Sequence, residues 1–322
     1  MNSLAVWYDN RFSGDAKVEL HINVCTIKDY TEYIEFGVLL DSYKLEYGSF
    51  YLSVPFEISK NNFNDLSDEL YDSTLISALF NETLSTEDKN KYFTVKSGST
   101  IKFRVLSIHK ENDLDFTHEN GHTKIKISIS DELTNNGATN TTIYMRFRIN
   151  KIGKIFQKIS TNRMFLDGYK EEKGIFEVNV NMKRKLPSEI SQNLKKNMKI
   201  SMINVFFLSD YTTDIIFESK DRKSARILEN HIWDEYIGYK DLKIEKVVAY
   251  QWKSGKDITN VKDFNIFVKT LIREKTWGSW LLVMLFILFL GILGGVGGNA
   301  ITAKYFNGFA SLIEKADKGE IK

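Results

Sequence analysis

Between Lys17 and Ile149 apolar and polar residues alternate over short runs, which is the period of a half-buried β-strand. Lys17–Thr26, Glu32–Leu40, Ser49–Ile58, Tyr92–Val95, Ile101–His109, Lys124–Ser130 and Thr142–Ile149 show that alternation or are rich in β-branched and aromatic residues. Each is predicted as a strand. A short helix over Ser73–Thr83 interrupts them. Strands at this spacing, with turn residues between them, predict a β-sandwich or a barrel-like body.

The pattern then becomes mixed. Ile175–Met182, Lys199–Leu208, Asp214–Glu218 and Leu242–Trp252 read as strands, and Pro187–Lys196 as a helix opened by proline in its first turn. A helix over Arg222–Tyr236 would place Ile227, Leu228, His231, Ile232 and Tyr236 on one side. From Asp263 a further helix is predicted, because Phe264, Phe267, Val268, Leu271 and Ile272 fall at helical spacing. It runs on without proline, so movement of the preceding domains is expected to reach the apolar segment at its end.

That segment is Thr276–Ala303, with no charged residue between Lys275 and Lys304. Roughly twenty apolar helical residues cross the hydrocarbon layer of about 30 Å, so this run is one transmembrane helix. Trp277 and Trp280 suit an interfacial aromatic belt, and Lys269, Arg273, Lys275 and Lys304 bracket the span. Its second half carries Gly291, Gly294, Gly295, Gly297 and Gly298, with Asn299 as the only amide in the run. Gly291 with Gly295, and Gly294 with Gly298, form two G-x-x-x-G pairs, which let helix backbones approach closely. With one span per chain the partner helix has to come from another copy, so a homo-oligomer is expected. Beyond the span, Ile301, Tyr305, Phe306, Phe309, Leu312 and Ile313 alternate with Lys304, Glu314, Lys315 and Asp317. This is either an interfacial tail or a prolongation of the membrane helix that packs against neighbours.

Met1 to Arg11 shows no basic segment followed by an apolar one, so no signal peptide is read and the bulk of the chain is expected in the cytoplasm. The expected location is the cell inner membrane, crossed once. The lone Cys25 agrees with a reducing compartment and reads as a core residue.

Net charge over the 322 residues is only +2. Residues 1 to 140 nevertheless carry 13 Lys and Arg against 22 Asp and Glu, and residues 141 to 226 carry 18 against 9. That shift suggests three parts: a β-rich acidic domain over 1–140, a mixed α/β basic domain over 141–262, and a membrane part over 263–322. The junction is expected at Asn135–Asn140. The fold class is therefore mainly β with α+β elements and one C-terminal transmembrane helix.

The basic part points to an anionic partner. In Ile143–Ile149, Tyr144, Arg146 and Arg148 share the strand face opposite Ile143, Met145, Phe147 and Ile149. If exposed, that face offers charge and a stacking surface to a nucleotide or short oligonucleotide, with anionic lipid headgroups as the competitor. Lys151, Lys154, Lys158, the run Lys183, Arg184 and Lys185, and Arg222, Lys223 and Arg226 enlarge the basic set. His118-Glu119-Asn-Gly-His122 matches the H-E-x-x-H pattern of zinc peptidases, which would make the chain a metal-dependent hydrolase. Asn120-Gly121 is instead a hairpin turn signal, which would separate the histidines. No phosphate-cradling loop, nucleophile elbow or C-x-x-C pair occurs, so nothing in the sequence supports catalysis or a resident cofactor.

In layout, a β-rich cytosolic part followed by one glycine-rich span, the chain resembles membrane effectors of bacterial anti-phage defence, in particular nucleic-acid-gated channel subunits of the Hailong type. The resemblance covers the layout alone. It implies an assembly that opens to depolarise the cell. The expected function is thus a homo-oligomeric effector that forms or gates an ion-conducting pore under a ligand-sensing cytosolic domain. The alternative is a tail-anchored adaptor or scaffold that conducts nothing.

Overall fold

The computed structural model describes residues 3–8, 16–27, 31–41, 48–88, 90–129, 142–150, 156–160, 169–194, 198–238, 246–255, 260–275 and 277–318. The first half holds strands β1 (Ala5–Tyr8), β2 (Ala16–Ile27), β3 (Thr31–Asp41), β4 (Gly48–Val54) and β5 (Phe63–Asp65), then helix α1 (Ser73–Phe80). Next come β6 (Ser85–Glu87), β7 (Tyr92–Ser97), β8 (Thr100–Leu106), β9 (Leu114–Glu119), β10 (His122–Ile129) and β11 (Ile143–Asn150). The second half holds β12 (Phe156–Ser160), β13 (Tyr169–Val180), helix α2 (Ser188–Asn193), β14 (Met198–Asp210), β15 (Thr213–Glu218) and β16 (Ser224–Ile227). Helix α3 (Asn230–Ile237), β17 (Val247–Lys253), β18 (Phe264–Lys275) and helix α4 (Trp277–Asp317) complete it.

Alternation along β2 places Val18, Leu20, Ile22 and Val24 on one face of the largest sheet and Cys25 and Ile27 on the other. That sheet has ten strands, in the order β16-β17-β14-β2-β3-β11-β8-β7-β6, with β5 also paired to β11. Two four-stranded sheets, β1-β4-β10-β9 and β12-β13-β18-β15, accompany it. One face of the large sheet shares a core with strands of the smaller sheets, through Phe50, Leu52, Ile125, Phe176 and Val178 against Phe36, Phe147 and Phe207. The expected sandwich is therefore present. The opposite face forms a second core with α1 and α3, through Leu75, Ile76, Trp233 and Tyr236.

Most expected strands are found within a few residues of their predicted ends. Three expectations are corrected. The helix from Asp263 is strand β18, because Phe264, Ile266, Val268 and Thr270 are buried at every second position and the period of two outweighs the chance helical spacing of the same apolar residues. The helix over Arg222–Tyr236 is a strand, β16, followed by the shorter α3. The boundary at residue 140 is crossed by pairing: β11 joins β3 over eight residue pairs, and β14 joins β2 in parallel. Parts 1–140 and 141–262 thus share one sheet. The Asn135–Asn140 loop lies outside the described residues. By internal contacts the chain divides elsewhere, into residues 1–159 with 173–271, and 160–172 with 272–322.

In the second unit α4 runs unbroken through 41 residues. From Trp280 it is long and apolar enough to cross a membrane, and none of it is buried. Among the described residues there is thus one helix suited to single-pass anchoring. Of the two readings of the segment beyond Lys304, an interfacial tail or a prolongation of the membrane helix, the structure has a prolongation: the same helix continues to Asp317.

Candidate functional site

Three rows of residues lie across β2, β3 and β11 on the face that α3 covers. Asn23, Glu35 and Arg148 are in register, as are His21, Gly37 and Arg146, and then Glu19, Leu39 and Tyr144. The absence of a side chain at Gly37 makes this packing possible: a Cβ there would run into the Tyr144 hydroxyl and crowd the His21 Cβ. Gly37→Ala is expected to lower stability by about 1–3 kcal/mol through overpacking, read from thermal unfolding of the full-length protein.

The Glu35 carboxylate is the centre of this arrangement. Its Oε2 accepts from Arg146 Nη2 at 2.6 Å, from the Tyr236 hydroxyl at 2.8 Å and from Asn23 Nδ2 at 3.3 Å. Its Oε1 accepts from Arg148 Nε at 2.9 Å and Nη2 at 2.7 Å. Arg146 also donates through Nε to the Tyr236 hydroxyl at 2.5 Å and through Nη1 to the Tyr144 hydroxyl at 3.0 Å. Arg148 donates to the Tyr236 carbonyl at 2.6 Å, and its guanidinium lies 4.0 Å from the centre of the Tyr33 ring.

Glu35 and Arg146 are buried, while Arg148 keeps 12% of its side chain exposed. Burial pushes the Glu35 carboxyl up, but the two guanidiniums and the hydrogen bonds from Arg148 and Tyr236 outweigh it and hold the group below the usual carboxylate range. Burial raises both Tyr144 and Tyr236, so their phenols stay neutral. One carboxylate against two guanidiniums leaves an excess positive charge, and Arg148, reached by water, is the member best placed to carry it.

This corrects the expectation of an exposed basic face. Tyr144, Arg146 and Arg148 do share one side of β11, but that side is covered by α3 and both guanidiniums are bound to Glu35. The arginines bind Tyr236 and Glu35 in place of an outside anion. Glu35, Tyr236 and Gly37, which complete the cluster, are not singled out by the sequence pattern. What the cluster does chemically is fasten α3 to the sheet through Tyr236.

The other basic residues are dispersed. Lys183, Arg184 and Lys185 form a single turn after β13, where the Lys185 backbone carbonyl accepts from Ser3 at 3.4 Å and its ammonium pairs with Glu177 at 2.8 Å. Arg222 pairs with Glu218 at 3.0 Å. Lys223 and Arg226 are exposed at the edge of the large sheet, where Arg226 donates to the Ala78 carbonyl of α1 at 3.1 Å and lies over Trp233. Lys151 and Lys154 lie outside the described residues, and the Lys158 side chain is not described.

At His118–His122 the hairpin reading holds. Asn120 and Gly121 form the two-residue turn, both with positive φ, and His118 pairs with Thr123 while His122 pairs with Glu119. Cross-strand partners share a face, so the two histidines project from opposite faces and do not converge on one ion. His118 instead meets the Thr123 hydroxyl at 3.0 Å, and His122 meets that of Ser53 at 3.2 Å. Burial lowers the His122 pKa.

Asp65 on β5 is a separate titrating group, pushed up to about 6, chiefly by burial, with hydrogen bonds from Ser67 and the Ile108 backbone opposing the shift. Its folded value exceeds its ordinary one of 3.8, so between the two the folded protein holds a proton that the unfolded chain has released. This contribution to stability is full below 3.8 and is lost as pH rises through about 6. Asp65→Asn is therefore expected to flatten that limb of the unfolding profile and to stabilise the protein near neutral pH by on the order of 2 kcal/mol. Unfolding midpoints across the pH range check this.

On α4, Gly291, Gly294, Gly295, Gly297 and Gly298 have no atom near the place of a Cβ, so none of the described residues packs on the glycine side. Asn299, within the same stretch, is exposed. No protein-family model matches this chain, and no curated protein is recognisably similar to it.

Proposed function

We propose that this chain is a single-pass membrane effector that assembles with copies of itself through α4, so that the assembled helices form or gate an ion-conducting pore. The observation that carries the reading is the glycine side of α4, which is exposed along its whole length. Glycine costs about 1 kcal/mol of helix propensity relative to alanine in water, and a lipid anchor gains nothing from it. Close helix contact does. A single helix encloses no lumen, so conduction through this chain requires several copies.

In this reading the β-rich body faces the cytoplasm at the cell inner membrane and controls the helices. Cys25, buried and the lone cysteine of the sequence, suits that reducing side. The layout it shares with anti-phage channel effectors suggests a role in defence, with an anionic signal such as a nucleotide or short oligonucleotide, or anionic lipid, as its trigger. Such a signal would have to bind elsewhere than the covered Tyr144, Arg146 and Arg148 face. Liposomes carrying the full-length protein test the reading. Ion flux above that of empty liposomes is expected, and membrane insertion without flux under any such trigger would favour the non-conducting adaptor.

A further inference from the structure

We propose that the part of α4 beyond Lys304 packs against the same part of further copies of this chain, so that a parallel helix assembly continues past the membrane. This rests on the homo-oligomeric reading and adds to it a segment outside the bilayer.

The first observation is length. At about 1.5 Å per residue α4 measures about 61 Å, roughly twice the hydrocarbon thickness. The stretch from Lys304 to Asp317 extends about 21 Å of that along the helix axis. It is helical without interruption. To lie on the membrane surface it would have to turn into the interfacial plane, and no break between Ile301 and Asp317 provides the turn.

The second observation is register. Gly291, Gly294, Gly298, Ile301, Tyr305, Gly308 and Leu312 follow one another at alternating steps of three and four residues, the repeat that keeps one side of a helix facing a parallel partner. Phe309 and Ala316 border this line. The polar residues keep the same rhythm on another side: Lys304, Asn307, Ser311, Glu314 and Lys318, with Glu314 and Lys318 paired at 2.7 Å. The apolar side has no partner among the described residues, with Tyr305 77% and Phe309 69% exposed.

These two observations identify the occupant. A partner helix that meets the glycine side within the membrane, and runs parallel to α4, is carried in register onto Tyr305, Gly308 and Leu312. A second copy of α4 presents the same sequence at the same height, with no charge on the contact line until Lys315. Gly308 permits close approach at the middle of the segment, as the earlier glycines do inside the span.

Single cysteines in the full-length protein, oxidised in membranes with copper phenanthroline, test this. Cys25 is fully buried, so the parental protein supplies the background. Tyr305→Cys and Leu312→Cys are expected to give disulfide-linked dimers severalfold more efficiently than Asn307→Cys and Ser311→Cys on the polar side. Equal or absent crosslinking at all four positions would overturn the proposal. Ile287→Cys, on the same line within the span, separates the two levels. Crosslinking there with a silent tail leaves the oligomer and removes its extension, whereas silence at both removes both. Quenching by brominated lipid of a fluorophore on the Leu312→Cys protein would identify the membrane surface as the occupant and also overturn the proposal.

Discussion

Glu35→Gln is expected to destabilise the full-length protein by about 3–5 kcal/mol, because it leaves two guanidiniums beneath α3 without the carboxylate that neutralises them. The amide still accepts hydrogen bonds but no longer neutralises charge. Arg146, almost wholly buried, suffers most, since removing a partner costs more than the pair itself contributes. Replacing the whole cluster by apolar residues of similar volume, Glu35→Leu with Arg146→Met and Arg148→Met, should recover part of the loss. Chemical denaturation of the three proteins separates the cost of a stranded charge from the cost of lost packing.

The acid limb of the unfolding profile checks the same group independently. The folded-state pKa of Glu35 lies below its ordinary value of 4.5, so its contribution is present above that value and is lost as pH falls through the folded one. The parental protein should lose stability over that range, and Glu35→Gln should lack this component. Because Tyr236 binds both arginines and Glu35, the variant is also expected to loosen α3. Faster amide exchange at Trp233–Ile237 would report it.

The second large effect lies in the membrane. Gly294→Leu with Gly298→Leu keeps α4 apolar, so insertion should survive, while the added side chains separate helix backbones that the glycines bring together. Flux in liposomes should be lost or strongly changed, and crosslinking within the span should shift. For a passive anchor the same substitutions are neutral, since leucine is at least as favourable in lipid. Wild-type flux and unchanged crosslinking in the double variant would leave the glycines without a role.

How much of this was legible depended on whether the signal was local. The sandwich strands were, because alternation within β2, β3 and β11 is set by residues next to one another. The long apolar helix was also legible, since composition alone defines it. The charge cluster was not. Tyr144, Arg146 and Arg148 read as an exposed ligand face because strand parity says which residues share a side and nothing about what covers it. The cover comes from Tyr236, 88 residues beyond Arg148, and the neutralising charge from Glu35, 111 residues before Arg146.

Glu35 nevertheless left a trace. A carboxylate between Ile34 and Phe36, in a strand buried on both faces, needs a partner of opposite sign. The β18 error has a similar origin. Phe264, Ile266, Val268 and Leu271 satisfy both periods in part, and only the tertiary pairing of β18 with β13 and β15 decides between them.

The central claim, that several copies of α4 come together around one membrane segment, is tested most directly by imaging the detergent-solubilised full-length particle and counting chains at the level of α4. A closed ring of more than two helices is expected, with Gly291, Gly294 and Gly298 turned toward neighbouring helices. A single α4 in its own detergent belt, or a pair with the glycines facing outward, would contradict it.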